Sequence, residues 1–425
     1  MVSLSKARAT SGRSTGVSSS PYKVIEPPPP NSLSDLLYIA SQAVKGMPPY
    51  YIRSIFGSVR DWAPPHRELS EYTIVNAWRP VRTARYLTDL AVPAWSHVPP
   101  DLVRTLLPLQ VQTLLWRPSR CVRYPDPFDD DSSFPRERWF FVNGVVENQA
   151  LAIMNTAMLS RLVYRPITLI HNATRSLVID LVEAVIGKSF TPDPRLPDHR
   201  TMTEPAVKAA LAIVNALCSP DADRVVVVAH SQGTIITANV LRAINKALCR
   251  FDQGHPTPTD ADNLLDKVVL DALLAVTQGS PAPPVECVAE LLKKLEVYTL
   301  ATCADHMTHL VETQDNRRMP YLEHFANQYD LVARLGVLSP LNGNDPRIRI
   351  DGTVYQRTGR PSWGHLCNVH YLFAMGDYLA GKTADPYPES PGRSSHRTGQ
   401  PFDRQPGKPR LYEYYQGGRP APYID

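Results

Sequence analysis

Residues 224–248 read RVVVVAHSQGTIITANVLRAINKAL, and this stretch decides the fold. Five consecutive small or aliphatic residues, Val225 to Ala229, offer no polar side to water. They form a strand buried on both faces, as in a parallel sheet covered by helices. From Gln232 to about Leu248 the apolar residues recur at helical spacing, so only His230 and Ser231 separate strand from helix. A turn this tight brings two backbones nearly into contact and needs small side chains at Ala229 and Gly233. It lifts the Ser231 hydroxyl above the C-terminal edge of the sheet and aims the first helical N–H, that of Gln232, at the same space. A serine acting only as a helix N-cap would not need small residues at both positions.

Outward from this point the pattern repeats. Residues 139–142 (WFFV) form a short apolar strand ending at Asn143-Gly144, and 145–162 then place Leu151, Met154, Met158 and Leu162 on one helical face. Residues 167–170 (ITLI) are a second buried strand, followed by helical patterns over 177–186 and 203–218. Strands at 297–301 and 321–326 come after an insertion near 250–295 that is largely helical. Aliphatic strands joined by helix-length connections give an α/β fold, a mostly parallel sheet with helices on both faces over residues 136–382. Residues 1–30 end in Pro27 to Pro30 and form a disordered tail. Residues 31–135 make a helical N-terminal extension closed by an acidic linker, in which Asp129, Asp130 and Asp131 are a solvated turn without calcium-loop spacing. Residues 383–425 are extended or disordered, with tyrosines at 412, 414, 415 and 423 free to pack on the surface.

Composition narrows the classes of function. The chain of 425 residues carries 45 basic and 41 acidic residues, a balance that gives no support to nucleic-acid binding. The 41 prolines, against 21 glycines, gather at the ends and in connections, so a folded middle has stiff, irregular flanks. Six cysteines without a C-x-x-C pair are free thiols of a reducing compartment, which makes a cytoplasmic protein the expectation. The Ser- and Arg-rich start, which lacks an apolar signal core, leaves organelle targeting as the alternative. No segment has the length of apolar residues that a membrane span needs.

The elbow Ala229-His230-Ser231-Gln232-Gly233, set between strand and helix, resembles that of the α/β-hydrolase superfamily in its lipase-like branch, with Ala in place of the first glycine of G-x-S-x-G. The likeness extends over about residues 138–380. It implies a triad in the chain order nucleophile, acid, histidine. Ser231 is then the nucleophile. Asp330, in the loop Asn327-Gln328-Tyr329-Asp330 after a strand, is the acid, with Asp305 as the alternative one strand earlier. Asp330 also suits the N-cap of a helix over 331–338. His365, on a loop after Gly364, is the base. His370 is the alternative, but it lies more than one turn into a helix over 367–379, where a packed core histidine is expected. The resemblance assigns the oxyanion hole to the N–H of Gln232 and to Gly144 or Val145. His306 and His309 are spaced H-x-x-H without the glutamate of a zinc-protease helix.

These residues imply a serine hydrolase cleaving carboxylic esters through an acyl-enzyme. It would need no cofactor and no metal, and its partner would be a small-molecule or lipid-like ester. A thioesterase or acyltransferase would use the same triad, and a non-catalytic interaction module could use the same fold. The apolar segment 261–279 is open to two readings, a lid over the site or ordinary core.

Overall fold

In the computed structural model the described residues are 20–29, 31–45, 47, 51–58, 62, 64–75, 79–91, 120–124, 134–144, 147–172, 204–254, 263–278, 280–359, 363–390 and 407–422. Seven strands build the main sheet: β1 (Arg120–Tyr124), β2 (Glu137–Val142), β3 (Ile167–His171), β4 (Arg224–His230), β5 (Leu295–Leu300), β6 (Tyr321–Asn327) and β7 (Thr353–Arg357). Their order is β7-β6-β5-β4-β2-β3-β1, parallel throughout except for β1 against β3. Every residue of β4, β5 and β6 is buried, so the centre of the sheet is covered on both faces. Val142 pairs with both Ala229 and Ile170, and His230 pairs with Leu300, so the C-terminal ends of these strands share one edge.

Among the described residues after β2, the helices of nine or more residues follow from the apolar stripes: α1 (Gln149–Val163), α2 (Glu204–Cys218), α3 (Gln232–Asp252), α4 (Leu264–Thr277) and α5 (Pro284–Leu292). In α4, Leu265, Val269, Leu270 and Leu273 are buried, and the helix packs on α2 and α3. Lys246 of α3 holds its Asp266 at 2.8 Å. The described part of 261–279 is thus core and not a lid. The helical pattern at 177–186 lies outside the described residues, as do Asp129, Asp130 and Asp131.

Several segments differ from the sequence reading. Residues 120–124, placed in a helical extension, form β1 at the sheet edge, where Val122 and Tyr124 are only half-buried and Cys121 and Arg123 are exposed, so no buried apolar face marks the strand in the sequence. Within the region read as a disordered tail, Tyr22–Val24 pairs antiparallel with Val311–Thr313. Finally, Arg410–Gly417 is 3₁₀-helical backbone broken at Tyr415 and Gln416, with Arg410, Leu411, Tyr412 and Tyr414 buried, where an extended or disordered terminus was expected. Its physical reason is charge: Arg410 donates to Glu296 at 2.9 Å, Tyr414 donates to the same carboxylate at 2.6 Å, and the backbone N–H groups of Arg410 and Leu411 donate to Glu323 at 2.8 and 3.2 Å. The partners come from β5 and β6, so nothing local in the C-terminal sequence announces them.

Candidate active site

Ser231 ends the turn after β4 with φ 55° and ψ −127°, a backbone conformation that a non-glycine residue rarely adopts. The close approach foreseen at Gly233 is present: a Cβ there would lie 2.1 Å from the Val142 carbonyl oxygen. A Cβ on Gly144 would lie 2.5 Å from Ser231 Cβ, which sets the loop after β2 directly against the serine. The Ser231 side chain makes no cap bond to α3. Its hydroxyl meets His365 instead, with Oγ 2.8 Å from Nε2.

His365 lies on the loop of residues 363–366, and its Nδ1 is 2.8 Å from Asp330 Oδ2. A fully buried carboxylate accepts here, so Nδ1 carries the proton and Nε2 is left as the acceptor for the serine O–H. Asp330 also receives the Tyr371 O–H at 2.6 Å on Oδ2, while its Oδ1 accepts the N–H of Val332 at 2.9 Å. The cap bond and the histidine contact weighed for Asp330 are therefore both present, one on each oxygen.

Asp305 takes no part. Its carboxylate accepts from Asn31 at 2.8 Å. His370 is the packed histidine its helical position suggests: Nδ1 accepts the Leu366 N–H at 2.8 Å, Nε2 lies 3.3 Å from the Tyr72 hydroxyl, and burial pushes its pKa down to about 3. His306 and His309 face the carbonyls of Pro346 and Pro320, and burial lowers both. Among the described residues no three His, Cys, Asp or Glu side chains gather as a metal site, and no helix is long and apolar enough to cross a membrane. Gln232 and Gly144 flank the serine; Val145 lies outside the described residues.

Several supporting residues escaped the sequence reading. Asn143 and Asn172, each immediately after a strand of the sheet, lock the two loops together. Asn143 Oδ1 accepts the Asn172 N–H at 2.6 Å, and Asn172 Nδ2 donates to the Gln232 side chain at 2.5 Å. That repeated strand-then-Asn ending was a readable signal. Glu71 grips the wide turn Cys367–Leu372 after His365, accepting the N–H groups of Asn368 at 2.6 Å and Val369 at 3.0 Å; burial pushes its carboxyl up to about 7 despite those donors. Ile55 O accepts the His365 N–H at 2.8 Å. Nothing in the sequence near residue 71 or 55 points at a histidine some 300 positions away.

No family model, curated protein or solved structure matches the chain.

Proposed function

We propose that the chain is a serine hydrolase of the α/β-hydrolase type that cleaves carboxylic esters. The observation that carries this reading is the unbroken relay from Asp330 through His365 to Ser231, with 2.8 Å at each step and the serine on a strained turn. In the reaction Ser231 Oγ attacks the ester carbonyl and its proton passes to His365 Nε2. The resulting imidazolium is held by the Asp330 carboxylate. The oxyanion is received by the N–H groups of Gln232 and Gly144, each worth about 3–4 kcal/mol at such sites. Collapse expels the alcohol, which takes the proton from His365. Water, deprotonated by the same imidazole, then attacks the acyl-serine and releases the acid.

Ser231 is 1% exposed and His365 9%, and this closeness supports small or slender acyl groups as the substrates. The same low exposure is the one observation that favours a second reading, a non-catalytic module on this fold. Release of p-nitrophenol from esters of increasing acyl length separates the two. The hydrolase reading expects turnover that is highest for short chains and absent in Ser231→Ala. The module reading expects wild type and Ser231→Ala to be equally inert.

A further inference from the structure

Behind the triad stands a second buried acid–histidine pair. His230, the residue before the serine, has Nε2 2.8 Å from the carbonyl oxygen of His365, and that carbonyl accepts only if Nε2 carries a proton. Its Nδ1 lies 2.8 Å from Glu147 Oε1. Glu147 is itself held by α1, since its Oε2 accepts from Asn155 at 3.1 Å. The His230 ring stacks on the His365 ring with centroids 4.7 Å apart and planes 29° from parallel, and its edge packs on Tyr371 at 6.2 Å. His230 is 3% exposed and Glu147 6%, so both side chains are buried beside the triad.

We propose that Glu147 and His230 are a positioning pair that holds the His365 imidazole in the orientation required by Ser231 and Asp330. Glu147 fixes the rotamer of His230. His230 then fixes its neighbour twice, by its Nε2–H on the His365 carbonyl and by its face on the His365 ring. The need follows from where His365 sits. It projects from a loop, whereas Ser231 is set by a strand and a helix, and the two must stay within hydrogen-bond reach. His230 belongs to the elbow, so it ties the base to the same turn that carries the nucleophile. A misplacement of about 1 Å in such an arrangement can cost roughly 100-fold in rate.

The kinetic part rests on the hydrolase reading; the structural part rests on geometry alone, and the experiment reads both. Full-length wild type, His230→Phe, Glu147→Ala and Glu147→Gln are compared in p-nitrophenyl acetate turnover and in ¹⁵N-histidine spectra. His230→Phe keeps a stacking face and loses the N–H, and Glu147→Ala frees the His230 ring. Each should lower kcat roughly 10- to 100-fold with KM unchanged, and each should let His365 average between its two tautomers. Glu147→Gln, which still offers Nδ1 a partner, should keep most of kcat and the single Nδ1–H tautomer of His365. Should either disruptive variant melt, His230→Asn serves in its place, because its amide mimics the Nδ1 end but cannot reach the His365 carbonyl. Unchanged kcat and an unchanged tautomer overturn the proposal, as does a loss of kcat with the tautomer unmoved. A wild type that turns over no ester overturns the hydrolase reading instead, and the tautomer measurement still decides the pair.

Discussion

The two edges of one sheet both bury carboxylates and use them differently. At the N-terminal edge, Glu137 meets Arg165 at 2.9 Å and Glu296 meets Arg410 at 2.9 Å and Arg224 at 3.4 Å. Burial alone would raise the Glu296 carboxyl, but Arg410 and Arg224 hold it below its ordinary value. Its charge is spent inside a closed network. At the C-terminal edge Asp330 meets no guanidinium at hydrogen-bond distance among the described contacts, only an imidazole, a phenol and backbone N–H groups. A carboxylate with an arginine is fully compensated at rest. A carboxylate with a neutral histidine is compensated only when that histidine takes a proton, which is the moment a transition state needs it. Partner choice thus separates a structural edge from the one to which the proposed function assigns the chemistry.

The largest effect that tests this contrast is on Ser231. Ser231→Ala should lower ester turnover by roughly 10⁴-fold or more, read as p-nitrophenol release, with no change in urea midpoint. Next is Asp330→Asn, which keeps the helix cap but presents an amide that favours the wrong tautomer of His365. A drop of about 10⁴ in kcat is expected, and activity within tenfold of wild type would remove the acid from the account. At the other edge Arg410→Ala should leave kcat unchanged and cost about 3–5 kcal/mol of stability, because it strands buried Glu296 without its nearest cation. Urea unfolding checks the loss, and a variant as stable as wild type would show that the C-terminal segment is not held by this network.

How far the sequence discloses each edge follows the same physics. VVVVAHSQG is legible because a wholly aliphatic strand and a small-residue turn are local demands, whereas Asp330 and His365 are indicated only by the order and placement that the α/β-hydrolase resemblance implies. RLYEYYQG at 410–417 is illegible for the opposite reason: its arginine and tyrosines are buried only because Glu296 and Glu323 wait on distant strands. Arg120–Tyr124 alternates weakly, as half-exposed edge strands do, and its pairing with β3 is not written in its own residues. Glu147 and Glu71 carry no motif at all. Each acquires its role through a partner on another element.

A smaller effect distinguishes His370 from His365. Burial holds His370 at about 3, below the 6.5 of a free imidazole, so the unfolded chain binds the extra proton first. The stability this group contributes is complete above pH 6.5 and is lost as pH falls from there toward 3. His370→Gln should therefore flatten the fall of Tm between pH 6.5 and 4, by on the order of a few degrees, as measured by differential scanning calorimetry. A slope identical to wild type would mean that other groups set the acid sensitivity.

The most direct measurement is the site of covalent capture by a fluorophosphonate, mapped by mass spectrometry on the folded full-length chain. An activated hydroxyl in contact with a neutral imidazole should give one adduct, on the peptide containing Ser231, and none in His365→Ala. Folded protein that stays unmodified, or that is modified at another serine, would contradict the account.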